Sequence, residues 1–333
     1  MPAATLAAMN EEIRIGALCW NQYTDWPSLL EAGVRADRLG FDSLWTWDHV
    51  YPIVGSENGP MFEGYLTITA WAQATERVRV GLMVGANPFR NPALVAKMAT
   101  TLDHISGGRA YLGIGSAWNE LEARAFGIEF GESPGERLRW LREALPIMRG
   151  MLDGEEVTAT GPRYFADAVR NDPPPVQERL PILVGGGGEK VTLRLAARYA
   201  DANNIGIAAG YEGFMRKEEA LRRHCEEVGR DPAEIERTFN VGPMIIRDTR
   251  EEAVRVLEQT YARNGRAESW NGRAADQQPT GSPEHVAEVL APFVAAGYRH
   301  VVVGFPSPYD AETMQRLVAD VKPMLAREAG VAA

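Results

Sequence analysis

Short apolar runs alternate with polar loops and amphipathic stretches along most of the chain, and the order repeats. Residues 13–19 read as a first strand, and residues 29–39 carry a helical pattern that Gly40 ends, at the position where a left-handed residue stops a helix. Residues 43–47 and 66–75 make the second strand and helix, residues 79–84 and 93–105 the third pair, and residues 110–114 the fourth strand. A long helix over 134–151 follows, with Pro134 suited to its first turn. Residues 182–184 give a fifth strand that runs through four glycines into a helix over 191–200. Residues 202–207, 240–246 and 300–304 complete the count of eight strands, each with a helical pattern after it. Near-continuous apolar strands belong to parallel sheets covered on both faces. Eight strand–helix units therefore favour a single α/β (β/α)8 TIM barrel over an open doubly wound sheet.

Three connections exceed what a simple turn needs: 50–64, 157–180 and 264–283. Connections of that length are commonly lids or binding segments. The expected organisation is an N-terminal tail over 1–12 and one barrel domain over 13–333 with these three insertions.

Composition narrows the classes. Hydrophobic residues at 45% and charged residues at 24% are those of a soluble globular protein. The net charge of -10 argues against nucleic acid, whose phosphates need a basic face. No apolar stretch is long enough to span a bilayer and the opening segment lacks signal-peptide character, so no membrane partner and a cytoplasmic location are expected. Cys19 and Cys225 are too far apart in sequence to suggest a cysteine framework, and no zinc-type spacing of His or Cys occurs. No metal is expected.

Asp48 and His49 follow the second strand directly, where an open carboxylate and imidazole are costly to desolvate and useful for moving protons. A turn with a local hydrogen bond is the other reading of such a pair. His104, His224 and His285 read as structural. Gly185-Gly186-Gly187-Gly188-Glu189-Lys190, between strand and helix, reads either as a phosphate cradle, with Lys190 adding a cation, or as a tight turn. Gly113-Ile114-Gly115-Ser116-Ala117-Trp118-Asn119-Glu120 offers small residues against which a flat ring can lie, with Asn119 and Glu120 as hydrogen-bonding groups. The same segment also reads as a helix N-terminus capped by Ser116 or Asn119. Trp20 and Tyr23 are aromatic candidates for the lining of a planar-ligand pocket or for packing.

Trp47-Asp48-His49, the Asn91-Pro92-Ala93 segment, Asp103-His104-Ile105-Ser106-Gly107-Gly108-Arg109, Gly113-Ile114-Gly115 and the glycine run, in this order, resemble the luciferase-like monooxygenase superfamily across roughly residues 13 to 325. Asp-His after the second strand is similar to its deazaflavin branch, the coenzyme F420-dependent oxidoreductases. The resemblance implies a barrel that binds the coenzyme at the C-terminal strand ends and transfers a hydride to or from a small organic substrate. It implies catalytic roles for His49 and Asp48, with Asp48, Met83, Val84, Gly115, Asn119, Gly185, Gly186, Gly187, Gly188 and Lys190 toward the coenzyme. Trp20, Tyr23 and Glu120 fall on the substrate side, and a non-proline cis peptide falls at Met83-Val84. Ala86 stands where relatives commonly carry a hydroxyl. A homodimer is expected. The alternatives are a two-component monooxygenase using reduced FMN, with a separate flavin reductase as partner, and a non-catalytic flavin-binding protein.

Overall fold

A computed structural model describes residues 12–207, 210–265 and 278–331. In chain order its elements are β1 (Arg14–Cys19), α1 (Trp26–Leu39), β2 (Ser43–Thr46), α2 (Gly64–Ala74), β3 (Arg79–Leu82), β4 (Gly85–Ala86), α3 (Pro92–Ser106), β5 (Leu112–Gly115), α4 (Glu120–Ala125), α5 (Pro134–Leu152), β6 (Val157–Thr160), β7 (Phe165–Val169), β8 (Ile182–Gly185), α6 (Thr192–Tyr199), β9 (Ala202–Gly206), α7 (Gly210–Val228), β10 (Glu236–Val241), α8 (Arg250–Arg263), α9 (Pro283–Ala295), β11 (His300–Phe305), α10 (Ala311–Arg316) and α11 (Lys322–Ala329).

Most strands of the main sheet are rich in apolar residues because both faces are covered. Along β1, Ile15, Ala17 and Cys19 pack toward the helices, while Leu18 joins Trp45, Met83, Tyr111, Leu183, Ala202 and Val302 in a second cluster that fills the barrel. Burial pushes the Cys19 thiol up to about 12, as suits a packing residue. Helix ends follow local chemistry. Asp25 accepts the Ser28 N–H at 2.8 Å to start α1, which ends at Gly40 with φ 91°. Asn91 likewise starts α3 by accepting the Ala93 N–H at 2.9 Å.

The main sheet runs β3-β2-β1-β11-β10-β9-β8-β5-β4 with parallel pairing throughout. β4 continues β3 beyond Met83 and Val84, whose joining peptide is cis, and Val80 bridges to Ala110 beside β5. Counting β3 and β4 as one interrupted strand gives eight strands around a closed barrel.

One expected strand is misplaced: residues 240–246 were the candidate, and the strand is β10, Glu236–Val241. Its polar start hides it, and those polar groups are satisfied at the barrel floor. Arg14 pairs with Glu236 at 2.6 Å, Tyr111 donates to the same carboxylate at 2.7 Å, and His300 binds it through Nδ1. Ser43 joins His300 Nε2 at 2.7 Å and receives the Trp45 indole N–H at 2.7 Å. Burial alone would push the Glu236 carboxyl up, but Arg14, His300 and Tyr111 outweigh it and hold it down at about 2.

The three long connections differ. Gln22 ties down the first, accepting the Ile53 N–H at 2.9 Å and donating to the Val54 carbonyl at 2.8 Å. The second opens with the antiparallel hairpin β6–β7. Most of the third, 266–277, and nearly all of the expected tail over 1–12 lie outside the described residues. Among the described residues no helix is long and apolar enough to cross a membrane.

Candidate active site

Parallel strands in a barrel bring their C-terminal ends, and the loops after them, to one face. There a cavity of ≈ 360 Å³ is lined by Leu18 of β1, Trp47, Asp48, His49, Ile53, Met83, Val84, Ala86, the turn Gly115 to Trp118, Gly185, Gly186, Asn204 of β9 and Asn240 of β10. A larger groove of ≈ 670 Å³ runs along Asp248, Pro283 and Arg316, but no strand end reaches it. Volume alone therefore does not select the site; convergence of strand ends and titratable groups does.

Asp48 and His49 share the mouth but not a hydrogen bond. Asp48 is buried and receives Arg90 through both oxygens, at 2.7 and 3.0 Å, as well as the Ala86 N–H at 2.8 Å. Arg90 also reaches Glu63 at 2.8 Å and lies over the Tyr65 ring. His49 turns the other way. Its Nδ1 meets Oε1 of buried Glu122 at 2.5 Å, and Glu122 Oε2 accepts the Val50 N–H at 2.9 Å. An ionised carboxylate only accepts, so Nδ1 carries the proton and Nε2 is left for a ligand. The group that holds the His49 imidazole is Glu122, not the adjacent Asp48.

Val84 is wedged across the cavity wall. A Cβ on Gly115 would stand 2.8 Å from its Cγ2, and one on Gly185 2.7 Å from the same methyl, so these two glycines make room for Val84. Gly186, at φ 114°, opens the turn after β8 and donates its N–H to the Asn204 carbonyl at 2.9 Å.

The remaining sequence candidates fall elsewhere. Gly187 and Gly188 are beyond the cavity lining, and the lysine at the glycine run is Lys217, which donates to the Gly187 carbonyl at 2.7 Å. Lys190 is exposed and borders a separate cleft with Arg142, Arg194 and Arg198. Trp20 is buried against Trp47, with ring centroids 4.8 Å apart, below the lining. Tyr23 pins the 50–64 connection by donating to the Ser56 carbonyl. Asn119 sits at the start of α4 without a side-chain cap bond, and Glu120 is exposed on that helix.

Glu122, Ile53, Asn204 and Asn240 were missed. Asn119 and Glu122 have the spacing of a helix capping box, which reads as local support and conceals a partner 73 residues away. Asparagines inside a strand covered on both faces were the available signal for β9 and β10. Among the described residues no group of three or more His, Cys, Asp or Glu converges on a metal site.

The model of the family "Luciferase-like monooxygenase" matches residues 13–306. The chain belongs to this family. An F420-dependent glucose-6-phosphate dehydrogenase of Kineococcus radiotolerans is 30% identical over 317 residues, 89% of this chain and 92% of that protein. One from Intrasporangium calvum is 31% identical over 322 residues, covering 89% and 94%. The structure of an F420-dependent secondary alcohol dehydrogenase in complex with an F420-acetone adduct superposes with a TM-score of 0.79 at 21% identity, covering 94% of this chain and 99% of that one. This last likeness shows the family's fold.

Proposed function

We propose that this chain is an F420-dependent oxidoreductase that moves a hydride between the deazaflavin and a small organic substrate. The observation that carries the proposal is His49, fixed through Nδ1 by buried Glu122 at the edge of a strand-end cavity, with Nε2 left for a ligand. The named activity of the two relatives supports the choice of coenzyme. The sugar phosphate in those names is not carried over, since no Lys or Arg is among the described residues lining the cavity.

The lining fits a flat tricyclic ring. Met83, Val84 and Gly115 offer a wall of apolar and small groups, Asn204 and Asn240 offer amides, and Gly186 opens the turn on the phosphate side. When bound, F420 supplies a carbon that accepts or donates a hydride and does not activate oxygen. The chain's residues do the rest. Trp47 and Ile53 line the cavity and, with the ring in place, would exclude water from that side of it. His49 takes the proton from a substrate hydroxyl at Nε2, or returns it in the reverse direction. Asp48, neutralised by Arg90, holds the Ala86 N–H and so fixes the strand edge beside the ring.

His49→Ala tests this reading on any alcohol from a panel that bleaches F420 with the wild-type protein. Unchanged F420 affinity with turnover lowered about 10²- to 10⁴-fold is the expected result. Turnover equal to wild type would remove His49 from the mechanism.

A further inference from the structure

A large aromatic side chain left in water forgoes the burial that stabilises it elsewhere, and neighbouring groups of this kind mark a surface that binds something. Trp118 is 63% exposed and Phe126 57%. Both flank Glu122 in sequence. The Trp118 ring stands edge-on to His49, with centroids 5.6 Å apart, and Phe126 stands edge-on to Tyr51 at 5.7 Å. Glu122 itself holds His49 Nδ1 and the Val50 N–H. An aromatic rim of Trp118, Tyr51 and Phe126 is thereby fastened to the imidazole at the cavity mouth.

The turn that presents Trp118 has an uncommon backbone shape. Ala117 has φ 64°, a left-handed conformation that a residue with a Cβ seldom adopts and that recurs where a chain clamps a ligand. Asn119 makes no side-chain cap bond, so capping of α4 does not account for the shape. Trp118 lines the cavity beside His49. The rest of the lining says what kind of substrate fits there. Trp47 and Ile53 add apolar surface. Among the described residues the lining holds no Lys or Arg, and its carboxylate, Asp48, is already paired with Arg90 at 2.7 Å.

We propose that Trp118 determines substrate specificity, and that the substrate is an uncharged alcohol or its ketone with an aromatic group that lies against the Trp118 ring. The inference rests on the proposed F420-dependent hydride transfer. In the oxidising direction the C–H bond at the alcohol carbon breaks and both its electrons leave as hydride to the coenzyme. The O–H proton goes to His49 Nε2, and the carbon–oxygen bond becomes a carbonyl; reduction runs the same transfers backward. A hydroxyl within reach of His49 brings the next substituent on its carbon to the neighbouring indole. An aromatic substituent is favoured over an alkyl one because the rim is made of rings, and ring pairs add to what area burial gives.

F420-loaded protein and its Trp118→Ala variant are titrated by calorimetry with acetophenone, cyclohexyl methyl ketone and acetone. Turnover of the corresponding alcohols and of glucose-6-phosphate is followed by F420 absorbance. Acetophenone should bind the wild type about 10-fold more tightly than acetone, and Trp118→Ala should remove most of that ratio, with Trp118→Phe recovering it. An equal loss for both ketones, or no loss, overturns the assignment. Glucose-6-phosphate turned over in preference to the neutral alcohols overturns the substrate class. An unchanged ketone ratio with slower sedimentation of the variant also overturns it, and makes the rim an interface between copies of this chain. If the alanine variant does not fold, the wild type carries the test. Cyclohexyl methyl ketone, similar in size to acetophenone, should bind about 2- to 10-fold more weakly; equal affinity overturns the aromatic assignment. Protein that binds no F420 refutes the coenzyme reading itself, an outcome distinct from F420-loaded protein that does not discriminate among the ketones.

Discussion

His49 and Glu122 act as one unit joined across 73 residues of chain, and the unit explains why α4 exists where it does. The carboxylate accepts from the ring and from the Val50 N–H, so it fixes both the imidazole and the loop that presents it. Glu122 is a positioning residue. Glu122→Ala should lower kcat about 10- to 100-fold while KM and F420 affinity stay unchanged, with Glu122→Gln recovering part of the rate because its amide oxygen still accepts from Nδ1. A parallel change in KM and coenzyme affinity would mean that the loop has simply lost its shape. At this scale the sequence was only half legible. Asp48 and His49 drew attention by being adjacent, yet adjacency is local, and their partners Arg90 and Glu122 come from segments 42 and 73 residues away.

At the level of elements, apolar periodicity located the strands whose burial is purely hydrophobic, such as β1 and β11. It failed at β10, where Glu236 and Thr238 face a polar floor and burial is paid in ion pairs. That floor has a pH signature. Burial, aided by the positive charge of Arg14, pushes the His300 imidazole below its ordinary value of 6.5 against the pull of Glu236. The unfolded chain then takes up a proton that the folded protein refuses, so stability falls as pH drops below about 6.5, by at most ~1.4 kcal/mol per pH unit from this group. Glu236 adds to the loss further down: its contribution is present above the ordinary value of 4.5 and disappears as pH falls toward about 2. Urea unfolding between about pH 7 and 5 should show a flatter slope for His300→Gln, and an identical slope would contradict the assignment. The closing seam makes a second demand. A Cβ on Gly113 would stand 1.9 Å from the Leu82 carbonyl oxygen, whereas Gly107, at φ 66°, has nothing near it. Gly113→Ala should cost about 3 kcal/mol by urea unfolding, against about 1 kcal/mol for Gly107→Ala. Equal losses would mean that the seam opens without penalty.

Over the whole molecule, the barrel and its family were readable from the order of strands, helices and motifs, because each strand–helix unit is a local pattern. The cavity was not, since it is made by loops from different strands whose side-chain directions depend on closure. Asn204 and Asn240 reach it although neither sits in a recognisable motif. The glycine run illustrates the same limit: Gly185 and Gly186 line the cavity, and the next two residues of the run do not. The central claim is that this cavity is built for a deazaflavin. Titrating the purified protein separately with F420 and FMN, and following fluorescence, tests it most directly. Submicromolar binding of F420 with negligible binding of FMN is expected; tight FMN binding with no response to F420 would show that the cavity is not built for a deazaflavin.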